Sequence, residues 1–305
     1  MKFGISYAQY QDARQVRESA RLVEASGYDS LWVTENVHSG PEALEPMVAL
    51  SQFAAYTERI TIGPAVALLP LRNPVGFAHA VATVDHLSEG RFILGVGAGG
   101  NAGEGYRAYG TPLSERGKRC DETLEIMTGL WTGKPISYDG QFSQFSDYAL
   151  GARPYQRPHP PIWVGGDAPA VLRRAGRWGH GFIPAHTPPA ETAEMYRKIE
   201  GYRREWGRES REFTNGIYLY VNFGETAEDA LEVAKSTLEA RYTYPVNHIH
   251  AGVNGILGSV EECIGVLKEY EAVGATHVIL DPVCPADEVP ATVDRVAREI
   301  MPHFK

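Results

Sequence analysis

Glu35, Asn36 and His38 follow directly on an apolar run, Ser30–Thr34, in a chain of 305 residues. A carboxylate can hold or move a proton, and a histidine can do so in either direction near neutral pH. An asparagine can only hydrogen-bond. Tyr7 after the first apolar run and Asn101 after the fourth add groups suited to holding a substrate. Glu35 has a second reading, as a residue that braces the surrounding backbone through hydrogen bonds.

Two glycine clusters follow other apolar runs. Gly165-Gly166-Asp167-Ala168 precedes Pro169 and a helical pattern. Unpaired amides at a helix start, with the helix dipole, favour an anion such as a phosphate. An Asp167 N-cap on an ordinary helix gives the same pattern, and one turn can serve both purposes. Gly95-Val96-Gly97-Ala98-Gly99-Gly100 demands a sharp bend or close approach to a ligand. It is superficially like a dinucleotide fingerprint, but that fingerprint belongs in the first βα unit and opens straight onto a helix. Between them in type is Gly63-Pro64-Ala65-Val66-Ala67-Leu68-Leu69-Pro70. Proline inside a central strand cannot donate its ladder hydrogen bond, so this run is irregular or begins after Pro64. Small residues there let a flat ring approach the backbone.

The elements that must position these residues alternate along the chain. Strands are predicted at Phe3–Tyr7, Ser30–Thr34, Ile60 to about Leu69, Phe92–Val96, Pro161–Val164, Gly181–Pro184, Gly216–Phe223 and His277–Leu280. Helices are predicted at about 11–26, 41–56, 74–87, 113–131, 169–178, 189–206, 227–240, 259–273 and 289–301, with 102–110 loop-like. Eight strand–helix units imply an α/β fold, a closed (β/α)8 TIM barrel in one domain over 1–305, with a doubly wound open sheet as competitor. Residues 134–160, centred on Asp139-Gly140, read as a hairpin excursion, and 241–257 as an irregular insertion. In a barrel the active site lies where strands end and βα loops begin, where all the residues above fall.

Composition narrows the function classes. A net charge of −9 without a Lys/Arg run argues against nucleic acid as partner. No apolar run is long enough to span a membrane, and the N-terminus lacks a signal peptide's apolar region. Three scattered cysteines, Cys120, Cys263 and Cys284, without a CxxC motif fit a reducing cytoplasm. Among the ten histidines, the only HxH is His248-Ile249-His250, in the second insertion rather than after the first strand. No metal site is therefore expected.

Several segments together resemble the bacterial luciferase-like family of flavin- and deazaflavin-dependent barrels. They are Gly27-Tyr28-Asp29-Ser30-Leu31-Trp32-Val33-Thr34-Glu35, Pro70–Pro74, Ala82–Arg91, Gly95–Gly99, Glu115–Gly117, Leu130–Gly133 and Pro160–Gly166, in order along nearly the whole chain. The resemblance implies a cofactor phosphate on Gly165, Gly166, Asp167 and Ala168. It implies a ring against a third-strand bulge at Ala65, Val66 and Ala67, often with a non-proline cis peptide, here at Ala65-Val66. Gly97, Ala98 and Gly99 would lie near the ring or its phosphoryl-linked chain. The subgroup is closer to enzymes using coenzyme F420 than to FMN monooxygenases, with FMN the alternative. Glu35, Asn36 and His38 would be catalytic, with Glu35 or His38 as proton donor, and Tyr7 and Asn101 would face a small-molecule substrate. Two departures stand out. Many F420 enzymes of the family carry His where Asn36 stands. Sugar-phosphate dehydrogenases carry Glu where Gly100 stands, which argues against a glucose-6-phosphate-type dehydrogenase. A methylenetetrahydropterin or folate reductase-like enzyme, a pterin reductase using NADH directly without flavin and a non-catalytic flavin-binding relative remain alternatives. The family also implies a homodimer through first-half helices, here Ala43 to Ala55.

Overall fold

The computed structural model describes residues 1–7, 12–37, 44–99, 103–242 and 255–304. The described strands are β1 (Lys2–Tyr7), β2 (Ser30–Val33), β3 (Thr61–Pro64), β4 (Ala67–Leu68), β5 (Leu94–Gly97), β6 (Ile136–Asp139), β7 (Gln144–Tyr148), β8 (Ile162–Gly165), β9 (Gly181–Ile183), β10 (Thr214–Phe223), β11 (Gly255–Gly258) and β12 (His277–Pro282). The α-helices are α1 (Ala13–Ala25), α2 (Pro46–Tyr56), α3 (Pro74–Leu87), α4 (Gly103–Ala108), α5 (Arg116–Leu130), α6 (Pro169–Trp178), α7 (Pro189–Glu205), α8 (Ala227–Tyr242), α9 (Val260–Ala272) and α10 (Val289–Arg295). Capping fixes several helix starts. Asp12 accepts from the Gln15 amide, Asn73 from Gly76, and Ser259 forms a capping box with Glu262.

Parallel strands run in the order β3-β2-β1-β12-β10-β9-β8-β5-β4. β3 and β4 are two parts of one strand interrupted at Ala65 and Val66, and a bridge from Ile62 to Phe92 helps close the ring. The fold is therefore the (β/α)8 barrel, its eight strands being β1, β2, β3 with β4, β5, β8, β9, β10 and β12. The excursion after α5 is an antiparallel hairpin of β6 and β7, outside the barrel sheet.

Several predicted boundaries change: α2 begins at Pro46 instead of near 41, the last α-helix ends at Arg295, and three further segments differ in kind. Residues 103–108 form α4 instead of a loop. Arg241 and Tyr242 finish α8, and residues 255–257 belong to β11, so the second insertion is regular at both ends. β11 pairs with Tyr220–Phe223, the tip of β10, beyond the point where β9 pairs with Thr214 and Asn215. The irregular composition there hid a strand that forms only because β10 overhangs the barrel. The middle of that insertion, with His248 and His250, lies outside the described residues.

Alternation along the strands sends every second side chain into the barrel. The floor is aromatic: the Trp32 and Trp163 ring centroids lie 5.2 Å apart, and His277 meets Trp163 edge-on at 5.1 Å. Trp32 Nε1 donates to Ser30 Oγ at 2.7 Å, and Ser30 Oγ lies 2.8 Å from His277 Nε2. This bulk leaves no room across the barrel. A Cβ on Gly181 would stand 2.6 Å from Trp163 Nε1, and one on Gly4 2.3 Å from Ser30 Oγ.

Burial pushes His277 down to about 3, so it is neutral in the folded protein near neutral pH. Unfolding returns it to its ordinary value, and between these limits the unfolded chain binds the extra proton. Stability therefore rises with pH across that window and is lost as pH falls below about 6.5. We expect the urea midpoint to fall between pH 6.5 and 4.5, and to fall less in His277→Gln. A midpoint in the wild type that stays level over this range contradicts the buried neutral imidazole.

Candidate active site

The interior layer above the aromatic floor divides into two halves. On one side stand Ala65, Gly97, Gly165 and Ala185, at the ends of adjacent strands. The Ala65-Val66 peptide bond is cis, as the resemblance implied. Ala65 N donates to Val33 O at 2.8 Å, which stitches the interruption to β2. The Val66 side chain fills the gap: a Cβ on Gly97 would lie 2.5 Å from Val66 Cγ2, and one on Gly165 2.8 Å from Val66 Cγ1. These glycines are thus required by Val66 as well as leaving open backbone at the mouth.

The turn after β8 leads straight into α6. Gly166 has φ +123°, a conformation that favours glycine. The residue at the N-cap is Ala168, with no side-chain cap, so the Asp167 N-cap reading is not what forms. The amides of Gly166, Asp167, Ala168 and Ala170 have no acceptor among the described residues, and Pro169 has no N–H. Residues 167–170 are exposed. Four accessible donors at the positive end of a ten-residue helix match a terminal phosphate.

Glu35 has both oxygens engaged. Oε2 accepts from Leu68 N at 2.6 Å, and Oε1 accepts from Arg72 Nη2 at 2.6 Å. Burial pushes its carboxyl up, and the Arg72 guanidinium and the Leu68 amide oppose that shift. Arg72 is held from its other side by Glu45 at 2.7 Å. This arrangement favours the bracing reading of Glu35, because each oxygen accepts from a donor of the surrounding protein. Asn36 is half-buried beside it. In the loop after β5, Gly99 has φ +70° and Tyr106 Oη donates to Ala98 O. Tyr7 turns outward, since Gly4 and Ser6 take the inward positions of β1. Its buried phenol is pushed up to about 12 and meets Ser19 of α1. His38 and Asn101 lie outside the described residues.

The other half of the layer is polar, and most of it escaped the sequence reading. Ser6 Oγ and Thr34 Oγ1 lie 3.1 Å apart, as do Thr34 Oγ1 and Tyr218 Oη. Tyr218 Oη donates to Asp281 Oδ2 at 3.0 Å, and Arg241 Nη1 donates to the same oxygen at 2.7 Å. The signal for Tyr218 was its alternation with Ile217 and Leu219 in β10. Asp281 lay one residue past the predicted end of the last strand. Arg241 comes from α8, and nothing in its sequence context points across the barrel.

Residues 1–277 match the family described as luciferase-like monooxygenase. The F420-dependent glucose-6-phosphate dehydrogenase of Nocardia farcinica is 36% identical over 231 residues, covering 72% of this chain and 68% of that protein. The 5,10-methylenetetrahydromethanopterin reductase of Archaeoglobus fulgidus is 27% identical over 343 aligned positions, covering 100% of both chains. Among solved structures, an F420-dependent secondary alcohol dehydrogenase in complex with an F420–acetone adduct superposes with a TM-score of 0.84. That structure is 20% identical and covers 100% of this chain and 99% of its own.

Removing the Glu35 carboxylate leaves Arg72 and the Leu68 amide without their buried acceptor. Glu35→Ala should destabilise the protein by roughly 3 kcal/mol, near the low end for breaking a buried pair because Glu45 still holds Arg72. Glu35→Gln should cost less. Urea unfolding measures both, and an Ala variant as stable as the wild type would refute the brace.

Proposed function

The chain belongs to the luciferase-like monooxygenase family, and from that premise we propose that it is a coenzyme F420-dependent oxidoreductase acting on a small organic molecule. The observation that carries this reading is the set of unpaired amides after β8, two strands along the ring from an interrupted strand lined by small residues. The names of the relatives, an F420-dependent dehydrogenase and a methylenetetrahydromethanopterin reductase, support the choice of cofactor. When bound, a deazaflavin supplies a carbon centre that gives or takes hydride and activates oxygen poorly.

The chain's residues supply position and electrostatics. Gly165, Gly166, Asp167 and Ala168 hold the phosphate through backbone, Ala65, Val66 and Ala67 back the ring, and Gly97, Ala98 and Gly99 flank it. Glu35 fixes the interrupted strand through Leu68 and Arg72. Asn36, His38 and Asn101 face the substrate. FMN shares a terminal phosphate and a flat tricyclic ring, so the same cradle admits it as the second reading, which the family's monooxygenase name favours. Three free, buried cysteines suit a reducing cytoplasm. No described helix is long and apolar enough to cross a membrane.

We read the α2–α3 face as the homodimer contact. Its exposed positions are Val48, Gln52 and Ala55 on α2 and Gly76, His79, Thr83, His86 and Leu87 on α3, with no Asp, Glu, Lys or Arg. Val48 is 66% exposed and Leu87 57%. Phe53 and Ala54, by contrast, point into the core. An uncharged face of this kind is what a subunit contact needs at its centre.

Two outcomes are expected. Purified apoprotein titrated with F420, FMN and NADH should show saturable fluorescence quenching with F420. Ala168→Asp should weaken F420 binding roughly tenfold or more by placing a carboxylate in the anion site, yet stabilise α6 by about 1 kcal/mol as a new N-cap. Tight FMN binding with oxygen consumption and no response to F420 would instead select the monooxygenase. In light scattering, the wild type should run as a dimer at micromolar concentration and Val48→Glu as a monomer. A monomeric wild type removes the dimer reading.

A further inference from the structure

The proposed chemistry needs a proton to move with each hydride; His38 lies outside the described residues, and the described groups first in line are otherwise engaged or cannot titrate. Asn36 cannot titrate, Glu35 braces Leu68 and Arg72 through both oxygens, and the Tyr7 phenol faces α1. What stands at the mouth instead is the chain Thr34–Tyr218–Asp281. Tyr218 belongs to the same interior cluster as Ala65 and bridges to Ala185 on the neighbouring strand, which sets it at the border of the small half of the layer. Its Oη sits in the polar half, between Thr34 Oγ1 and Asp281 Oδ2. The His186 ring meets the Tyr218 ring edge-on, with centroids 5.5 Å apart.

Asp281 is 2% exposed, and its charge is balanced by Arg241. Its two donors both fall on Oδ2, while Oδ1 is buried with no hydrogen-bond partner among the described residues. A carboxylate with one unsolvated oxygen is more basic than one fully hydrogen-bonded. A structural ion pair alone would gain by satisfying that oxygen. Asp281 and Ser6 also line a cleft of about 720 Å³ between α1 and α8, which gives the buried carboxylate a route to solvent. The charged and titratable groups around the pair are Arg241 from α8, Tyr7 from β1, Cys284 just past β12, Glu18 from α1 and His186 against the Tyr218 ring.

We propose that Tyr218 is the catalytic acid–base residue, touching the reacting oxygen of an alcohol or ketone substrate, and that Asp281 is the positioning residue that exchanges its proton. This rests on the hydride-transfer reading above. In the oxidative direction the substrate C–H bond breaks and hydride passes to the oxidised deazaflavin. The substrate O–H bond breaks and its proton goes to Tyr218 Oη, as the phenol's own proton passes to Asp281 Oδ2. The products are a ketone, a reduced cofactor and a neutral Asp281 carboxyl, which then releases its proton. Reduction of a ketone runs the same bonds in reverse.

The test uses Tyr218→Phe, which leaves the Asp281–Arg241 pair in place, and Asp281→Asn, which keeps the carboxamide shape, with cyclohexanone as the probe. Both variants should bind F420 with wild-type affinity. In protein labelled with ¹³Cζ-tyrosine, the resonance missing from Tyr218→Phe should shift saturably as cyclohexanone is added. With reduced F420, kcat for cyclohexanone should fall roughly 100-fold or more in Tyr218→Phe with little change in KM. In Asp281→Asn the ionisation seen in the wild-type pH profile of kcat should be lost. A Tyr218 resonance unmoved by the ketone, with and without cofactor, overturns the proposal, as does wild-type kcat in Tyr218→Phe. Failure of the wild type to bind F420 strikes the cofactor reading alone, because the resonance shift is read without cofactor as well.

Discussion

The carboxylate of Glu35 decides the shape of the mouth. A barrel strand broken at Ala65 and Val66 loses its own ladder at that point, and its continuation, Ala67–Leu68, needs another anchor. Glu35 provides it by accepting from the Leu68 amide and pairing with Arg72, which in turn reaches Glu45 at the N-cap of α2. One buried charge thus ties β2, the interrupted strand and the second helix together. In a low-dielectric site such a pair is strong only if every partner stays in place, which makes the geometry specific.

From that anchor the division of the interior layer follows. With the interruption fixed, Val66 fills the space beside β5 and β8, and only glycine fits opposite it at Gly97 and Gly165. The floor below is sealed by Trp32, Trp163 and His277, so nothing can bind deeper. The surface left at the mouth is flat and apolar on one side. On the other it carries hydroxyls, a phenol and a buried ion pair. A planar redox ring and a small polar reactant are the two shapes such a surface can hold side by side.

The polar half has its own logic. Tyr218, Asp281 and Arg241 come from β10, β12 and α8, and α8 reaches the mouth because β10 overhangs the barrel far enough to pair with β11. The overhang accounts for the long strand, for the helix packed on its tip and for the arginine that neutralises Asp281. A shorter β10 would leave that carboxylate buried and uncompensated.

Sequence by itself determined the barrel, because strand-forming runs and amphipathic helices alternate with a period that only local chemistry sets. It determined the glycine turn after β8, because Gly165-Gly166 before a helix start limits the backbone whatever surrounds it. It also marked the run around Pro64 as irregular, although Pro64 ends β3 and the interruption falls at Ala65 and Val66. The tertiary structure alone decided what Glu35 does, since a carboxylate after a strand can brace or catalyse, and only the position of Arg72 and the Leu68 amide chooses. The same holds for Tyr7 and Ser6, whose inward or outward facing depends on a one-residue phase of β1. The meeting of Tyr218 with Asp281 and Arg241 joins residues 40 and 63 positions apart. Their coupling is a property of strand register and an overhang, which no local pattern records.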